Sequence, residues 1–186
     1  MATIAITVDG SARSVESDQR PTHIFAEDKT IVVARVNEEL RDLWTELVDG
    51  DVVEGVSISS PDGLAVLRHS TAHVMAQAVQ QLFAQTRLGI GPPITDGFYY
   101  DFDPQNPFNP DDLEKIESAM RKIVKDGQRF KRRITTEKDA LKELAHEPYK
   151  CELIGIKGGG TDETSVEVGG TELTIYDNLG RDGQPV

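Results

Sequence analysis

Two kinds of hydrophobic pattern occur along this chain of 186 residues. Segments in which apolar and polar residues alternate, or that are rich in β-branched residues, predict strands. Segments with apolar residues every three or four positions predict helices. The predicted strands are residues 2–8, 12–16, 31–37, 52–58, 87–90, 97–102, 130–135, 149–156, 166–168 and 172–176. The predicted helices are residues 21–27, 38–47, 64–85, 110–125 and 136–146. This mixture of elements predicts an α+β fold.

The clearest break in the pattern is the turn-rich segment of residues 59–63, which contains proline and glycine. The elements before it, in residues 1–60, predict a small β-grasp domain. The elements after it, in residues 64–186, predict a second domain of the two-layer α/β type. Residues 177–186 contain no element that ends a domain, and we therefore expect the chain to stop inside its second domain.

The composition, with 38% hydrophobic and 28% charged residues, is that of a globular protein. No apolar run in the sequence approaches the length that spans a membrane, and the first residues lack the charged region and cleavage pattern of a signal peptide. Cys151 is the one cysteine, which excludes an internal disulfide and fits a reducing compartment. These features predict a cytoplasmic protein that does not bind membranes.

The most informative chemical feature is a pair of histidines, His69 and His73, on the helix predicted for residues 64–85. Residues four positions apart lie on the same face of a helix, so both imidazoles can reach one small volume and hold a metal, a water molecule or a ligand. Ser70 stands where the zinc-protease motif H-E-x-x-H has its glutamate, so the pair alone does not define a reaction. Two solvated histidines are the simpler alternative. The pair lies at the border of an apolar stripe, as expected for a cleft wall. This stripe consists of Ala72, Met75, Ala76, Val79, Leu82 and Phe83.

Charge is distributed unevenly along the chain. The net charge of −12 argues against nonspecific binding of nucleic acid by the whole surface. Basic residues nevertheless crowd into residues 121–133. Such a cluster is either a solvated helix face followed by a charged strand edge, or a local surface that contacts phosphates, and charge alone favours neither. The cluster consists of Arg121, Lys122, Lys125, Arg129, Lys131, Arg132 and Arg133.

Two motifs and the order of the elements resemble the amino-terminal half of bacterial threonyl-tRNA synthetases. The first motif is RHSTAHVMAQA at residues 68–78, and the second is GPPITDGFYYDF at residues 91–102. The segments DGS at residues 9–11 and ARVN at residues 34–37 are similar to the ubiquitin-like TGS domain of these enzymes. The resemblance covers essentially the whole chain. It implies a TGS domain in residues 1–60 and, in residues 64–186, an editing domain that hydrolyses serine wrongly esterified to threonine tRNA.

The resemblance also implies roles for individual residues. His69, His73 and Lys150 match catalytic positions of the family, with Lys150 in the segment YKCELI of residues 149–154, here a predicted strand. Imidazole is suited to hold or deprotonate water near neutral pH, and a lysine can stabilise the negative charge that develops on an ester. No metal is expected at this site.

The remaining implied contacts are with the substrate and the tRNA. Tyr99, Tyr100 and Gly97 match the pocket wall, and the basic residues of 121–133 would contact the tRNA. The family completes its pocket with an aspartate and a C-x-x-x-H motif shortly after a segment like residues 174–178, and this sequence stops before them. Cys151 cannot replace them because its spacing is wrong. We therefore expect the fragment alone to have weak or no activity.

The resemblance implies partners and cofactors as well. The full enzyme uses ATP to ligate threonine to its tRNA; the catalytic domain, with its ATP, magnesium and zinc, is absent here, and so is the homodimer contact that it forms. Threonine tRNA is the expected partner, with seryl-tRNA as the editing substrate and no DNA. No cofactor is expected in this fragment.

Two alternative functions remain open at this point. One is a zinc-dependent hydrolase with His69 and His73 as ligands, although catalytic zinc generally takes three protein ligands. The other is a non-catalytic RNA-binding module that acts through residues 121–133.

Overall fold

A computed structural model describes residues 2–159 and 173–185. The chain divides into two compact units, Met1–Arg68 and His69–Val186. Both helices and strands are present, so the predicted α+β class is confirmed. Of the helices in the described residues, none combines the length and the apolar character that crossing a membrane requires.

The first unit is built on a mixed sheet. Its elements are β1 (Thr3–Val8), β2 (Ser11–Glu16), α1 (Pro21–Ile24), β3 (Ile31–Val36), β4 (Glu39–Arg41) and β5 (Val52–Ser57). Within residues 2–68 the strands lie in the order β2-β1-β5-β3-β4, with β1 parallel to β5 and the other neighbours antiparallel. Apolar side chains from alternate strand positions form its core: Ile6, Val8, Ala34, Val36, Leu47 and Val53.

Tight turns with positive φ connect the hairpins of this sheet. Asp9 and Gly10, with φ of 46° and 78°, join β1 to β2, which confirms the turn predicted there. Asn37 and Glu38, with φ of 50° and 70°, join β3 to β4. Positive φ at both central residues is the geometry of the type I′ turn, whose twist matches that of the flanking strands.

The helix predicted for residues 38–47 is wrong. Its first residues complete the second hairpin through β4, and the chain then turns, with the amide of Trp44 donating to the Asp42 carboxylate at 2.6 Å. The leucines of this segment have helical spacing, but they lie in a strand and in the turn that follows it. Asn37 and Glu38 form a hairpin turn in which glutamate occupies the position that usually holds glycine. The sequence pattern therefore did not predict a turn there.

The second unit contains α2 and the elements that follow it along the chain. These are α2 (Pro61–Leu82), β6 (Arg87–Leu88), β7 (Pro93–Ile94), β8 (Gly97–Phe98), β9 (Phe102–Asp103), α3 (Pro110–Asp126), β10 (Arg129–Ile134), α4 (Glu137–Glu143), α5 (Pro148–Gly159) and β11 (Thr174–Leu179). The first residues of α2 still belong to the first unit. β6 pairs with β9, β7 with β8, and β10 with β11, all antiparallel.

Helices α2 and α3 provide the apolar core of the second unit through Ala78, Val79, Ile116 and Ile123. The stripe predicted on α2 is buried at Ala72, Ala76 and Val79, as expected. Leu82, the last residue of the helix, is instead 43% exposed.

Sequence cues set the ends of these helices. Ser60 accepts a hydrogen bond from the amide of Gly63 at 3.0 Å, so it caps α2 just before Pro61. Thr136 caps α4 in the same way through the amide of Asp139, as the capping pattern predicted.

The strand predicted for residues 149–156 is wrong, because this segment is helix α5. Proline at the first helical position favours a helix start, and the amide of Cys151 donates to the carbonyl of Glu147 at 3.1 Å. Ile154 is 8% exposed while Leu153 is 37% exposed, so burial does not follow the alternation on which the strand prediction depended. Lys150 therefore lies on a helix.

Two other strand predictions change. Residues 97–102 form two short strands, β8 and β9, with different partners, and not one. The described part of the segment 172–176 belongs to β11 and pairs with β10. Its predicted hairpin partner, residues 166–168, lies outside the described residues.

Asn37 connects its turn to the buried end of the sheet. Its Nδ2 donates to Oδ1 of Asp51 at 2.8 Å, and its Oδ1 accepts from the amide of Val52 at 2.9 Å. Asp51 is only 5% exposed and also accepts from the amide of Val48 at 2.8 Å. A buried carboxylate requires such partners, because an unpaired one loses its solvation without compensation.

Replacing Asn37 by alanine should lower the free energy of unfolding of the first unit by about 3 kcal/mol. Two hydrogen bonds worth about 1 kcal/mol each are lost, and alanine resists positive φ by about 1 kcal/mol. Urea titration followed by the fluorescence of Trp44, the single tryptophan, measures the change. Asn37→Gly loses the same bonds but adopts positive φ freely, so it should be less destabilised. An alanine variant as stable as the original chain contradicts the prediction.

Candidate functional site

His69 and His73 lie one turn apart on α2 and contact each other. Their rings stack with centroids 4.7 Å apart and planes inclined by 19°. Their Nε2 atoms are 3.0 Å apart, which is a hydrogen-bond distance. In such a bond one nitrogen donates and the other accepts, so a single proton lies between the two atoms and the accepting imidazole is neutral.

Two aromatic side chains from the β10–β11 pair cover the histidines. The ring of Tyr176, on β11, lies 5.7 Å from that of His73 and 6.3 Å from that of His69. Phe130, on β10, lies 5.6 Å from His73. The Tyr176 side chain is 37% exposed, so it forms an edge of the site that solvent can reach.

A chain of amides holds this sheet against α2. Gln77, one turn beyond His73, accepts a hydrogen bond from Nδ2 of Asn178 at 2.8 Å. Its own Nε2 donates to Oε1 of Gln128 at 2.9 Å, just before β10. One side chain of α2 therefore contacts β11 and the residue that precedes β10. His69, His73 and Gln77 face the sheet at successive turns of the helix.

Lys150 is close enough for its charge to act on the pair. Burial lowers the pKa of His73 from 6.5 to about 3, and the positive charges of His69 and Lys150 contribute to the same shift. His73 is therefore neutral at physiological pH and a weak base. Such a ring is suited to hold a water molecule or a polar ligand through its lone pair, while Lys150 supplies a positive charge beside it. The structure thus places Lys150 within electrostatic range of His73, which contacts His69, and a catalytic role of the three residues stays a prediction.

Tyr100 has a different environment. Its ring stacks on Phe102 with centroids 4.7 Å apart, and it lies so close to Gly91 that a Cβ there would be 2.2 Å from the ring. Burial, and in second place the charge of Glu147, raise the pKa of Tyr100 to about 12. Its described contacts are thus with the β9 region and not with the histidines.

The other two predicted pocket residues lie on or beside β8. Gly97 pairs with Ile94 across the β7–β8 hairpin, and Tyr99 is 44% exposed. A role in a substrate pocket stays a prediction for Gly97, Tyr99 and Tyr100 alike.

The basic cluster is spread over two elements. Arg121 forms an ion pair with Glu117 on α3 at 2.5 Å, and Lys122 and Lys125 are exposed on the same helix. An exposed pair of this kind contributes little to stability and leaves the charge accessible.

On β10 the alternation of side chains separates the basic residues. Arg129, Lys131 and Arg133 lie on one face and Arg132 on the other. Arg133 binds the carboxylate of Asp177 at 2.8 Å and also that of Glu143. Because the guanidinium of Arg133 already forms ion pairs with two carboxylates, it is a poor candidate for a phosphate contact.

The donor set around the histidines does not resemble a metal centre. Within residues 2–159 and 173–185, no group of three or more His, Cys, Asp or Glu side chains could hold a metal ion. Catalytic zinc generally takes three protein ligands. That this fragment binds no zinc tightly stays a prediction.

Sequence reasoning missed Tyr176, Phe130 and the amides of Gln77 and Asn178. Alternation already places Phe130 with Arg132, and Tyr176 with Asn178, on common faces of their strands. The sequence pattern does not indicate that β10 and β11, which are far apart along the chain, pair with each other so that Arg132 lies opposite Tyr176.

No protein-family model matches the chain. Curated relatives match it over nearly its whole length. The threonine–tRNA ligase of Nocardioides sp. is 59% identical over 180 residues, which are 92% of this chain and 27% of the ligase. The threonine–tRNA ligase of Bifidobacterium animalis subsp. lactis is 53% identical over 186 residues, which are 100% of this chain and 27% of the ligase. The threonine–tRNA ligase of Streptomyces coelicolor is 58% identical over 169 residues, which are 90% of this chain and 26% of the ligase. The chain thus spans about a quarter of the length of these relatives, and the resemblance inferred from its motifs is confirmed.

His73 should remain neutral in the folded protein from pH 8 to pH 5, because its pKa is lowered to about 3. The unfolded chain binds this proton near pH 6.5, so the stability of the second unit should fall as the pH decreases from about 6.5 towards 3. NMR of the ring protons, assigned with His73→Gln, measures the titration. The same variant should show a weaker dependence of stability on pH. A midpoint near pH 6.5 for His73 contradicts the prediction.

Proposed function

We propose that this chain is the proofreading part of a threonine–tRNA ligase, which hydrolyses serine wrongly esterified to threonine tRNA. The observation that carries the proposal is the stacked pair of His69 and His73, with Lys150 beside it and Tyr176 at its open edge. The similarity to threonine–tRNA ligases supplies the substrate class. The ligation of threonine, with its ATP, magnesium and zinc, and the contact that forms a homodimer would belong to the parts of the ligase that this chain does not cover.

A ligase for threonine needs a second site for a physical reason. Serine lacks one methyl group of threonine, so a threonine pocket cannot exclude it by size. The missing group is worth only about 1–3 kcal/mol, or roughly 10–200-fold in specificity. A separate hydrolytic site raises the accuracy if it admits serine and excludes the additional methyl of threonine.

The proposed reaction is the attack of water on the ester carbonyl carbon. The bond between that carbon and the ribose oxygen breaks, and a proton from the water passes through the imidazole pair to the ribose oxygen. His73, neutral and weakly basic, orients the water, and the charge of Lys150 stabilises the oxyanion that develops. The hydrogen bond between the two rings gives the proton a path along the pair.

The first unit is proposed to be the TGS domain. Its support is the strand order β2-β1-β5-β3-β4, with β1 parallel to β5. This mixed sheet lies within residues 2–57, which also contain the short helix α1. For the tRNA, the exposed lysines of α3 are better candidates than Arg133, which binds two carboxylates of its own unit. The proposed compartment is the cytoplasm, where tRNA charging takes place.

Neither alternative gains support from these observations. A zinc hydrolase would need a third protein ligand near His69 and His73, and the described residues offer no such group. A purely RNA-binding module would not require two stacked imidazoles beside a lysine. Hydrolysis of seryl-tRNA, metal content by elemental analysis and salt-dependent retention of tRNA together separate the three functions.

In a full-length ligase that carries this segment, His69→Ala or His73→Ala should slow hydrolysis of serine-charged threonine tRNA by about 100-fold or more. Lys150→Ala should have an effect of the same order, because an oxyanion contact is lost. Charging with threonine should change less than twofold. Lys142→Ala on α4 is the matched control and should hydrolyse normally. Wild-type hydrolysis by both histidine variants would refute the proposal.

Lys122→Ala combined with Lys125→Ala should raise the tRNA concentration needed for half-maximal hydrolysis without changing the maximal rate. Each lost phosphate contact should reduce the salt dependence of binding by about one unit of logarithmic slope. Lys138→Ala with Lys142→Ala on α4 removes the same charge elsewhere and should have a smaller effect. Equal effects of the two double variants would show that only overall charge matters.

A further inference from the structure

A buried carboxylate connects the histidine helix to the start of α5. Glu147, the residue before α5, is only 5% exposed. Its Oε1 accepts a hydrogen bond from Nε2 of Gln80 on α2 at 2.7 Å, and its Oε2 accepts from the amide of Leu88 on β6 at 3.0 Å. A buried carboxylate without such donors would lose its solvation without compensation. Because each oxygen binds a donor from a different element, Glu147 holds α2, β6 and the start of α5 together.

The backbone of Glu147 begins the helix that carries Lys150. Its carbonyl accepts from the amide of Cys151 at 3.1 Å, and its amide donates to the carbonyl of Leu144 at 2.8 Å. Lys150 lies three residues later, in the first turn of α5. The first turn of a helix disfavours a positive charge, because its free amides carry partial positive charge. We therefore expect the position of Lys150 to depend on how the start of α5 is attached to other elements.

This attachment lies on the same helix as the histidines. Gln80 follows His73 by seven residues, or about two turns of a helix, so the two side chains leave α2 on nearly the same side. The positive charge of Lys150 in turn acts on His73 and helps to lower the pKa of its ring. The hydrogen bond between Gln80 and Glu147 therefore fixes α5 against the part of α2 that carries His73.

We propose that Glu147 is a positioning residue of the site: its two hydrogen bonds hold the start of α5 so that the ammonium group of Lys150 stays within electrostatic range of His73. This inference rests on the proposed function, since Lys150 is the group that would stabilise the oxyanion. Glu147 acts through Lys150 and takes no part in the chemical step itself. Any side chain that keeps both hydrogen bonds should therefore replace the carboxylate.

Two substitutions separate the hydrogen bonds of Glu147 from its charge. Glu147→Ala removes both bonds, so Lys150 loses its fixed position. Glu147→Gln removes the charge but can keep both bonds. Its oxygen accepts from the amide of Leu88, and its new NH₂ group donates to Oε1 of Gln80 once the amide of Gln80 has turned over.

Hydrolysis of seryl-tRNA by a full-length ligase that carries this segment is the first measurement. Glu147→Ala should lower kcat by about 10- to 100-fold with little change in KM, because a displacement of about 1 Å at a reacting group can cost that much. Glu147→Gln should hydrolyse at nearly the original rate. Glu152→Ala is the matched control, since it removes one negative charge from an exposed position of the same helix, and it should hydrolyse normally.

A double-variant cycle shows whether Glu147 acts through Lys150. Lys150→Ala should slow hydrolysis strongly in the original chain but add little in the Glu147→Ala background, because two residues that serve one interaction are not additive.

Exchange of the two partners tests the bond itself. Gln80→Glu places two carboxylates face to face and should slow hydrolysis, because like charges repel each other. Combining it with Glu147→Gln restores a donor and an acceptor in exchanged positions, so the rate should recover.

The titration of His73 in this chain, followed by NMR of its ring protons, tests the placement of Lys150 without any hydrolysis. Lys150→Ala should raise the midpoint of His73, because a nearby positive charge that opposes protonation is removed. Glu147→Ala should raise it by the same amount, and the double variant should raise it no further. Loss of the negative charge of Glu147 would by itself lower the midpoint, so a rise reports the displacement of Lys150.

Several results would overturn the inference. They are a normal kcat in Glu147→Ala, equal losses in Glu147→Ala and Glu147→Gln, no recovery on exchange with Gln80, or the full effect of Lys150→Ala in the Glu147→Ala background. The proposed function fails separately, when the histidine variants and Lys150→Ala all hydrolyse seryl-tRNA normally. In that case the titration of His73 still decides whether Glu147 places Lys150, so the two failures are distinguishable.

Discussion

The hydrogen bond between Nε2 of His69 and Nε2 of His73 constrains the whole site, because one proton must serve two nitrogens 3.0 Å apart. Burial of His73, with the charges of His69 and Lys150 close to it, keeps a second proton away. His73 therefore remains a neutral hydrogen-bond acceptor in the electrostatic field of Lys150, and this is the combination on which the proposed attack of water and stabilisation of the oxyanion depend. Protonation of both rings would leave neither Nε2 with a lone pair to accept this hydrogen bond and would replace it by repulsion between two positive charges.

Local signals predicted the parts of the fold that depend on neighbours in the sequence. The cap at Thr136, the turn at Asp9 and Gly10, and the buried stripe of α2 all follow from side chains within a few positions of each other. The stacking of His69 on His73 is of the same kind, since i and i+4 on a helix fix it. That part of the site could be predicted before any tertiary structure was known.

The errors occurred where tertiary contacts decide. Residues 149–156 have β-forming side chains, but Pro148 and the packing of Ile154 make them helical. Residues 38–47 have helical spacing, but the turn at Asn37 and Glu38 makes the next residues a strand. The contact of Tyr176 with the histidines was not predicted for a related reason. It depends on the pairing of β11 with β10, in which Tyr176 lies opposite Arg132, 44 residues earlier in the sequence. No local periodicity encodes that distance.

Because the pairing is long-range, side-chain contacts must fix its register. Side chains alternate along a strand, so a slip of β11 by one residue would turn Tyr176 away from the histidines and direct Ile175 or Asp177 at them. An aspartate there would favour protonation of the rings and reverse the electrostatics of the site. Two contacts oppose the slip from opposite faces of the sheet: the hydrogen bond from Asn178 to Gln77 and the ion pair of Arg133 with Asp177. Arg133 thus holds Asp177 on the face of the sheet that is directed away from the histidines.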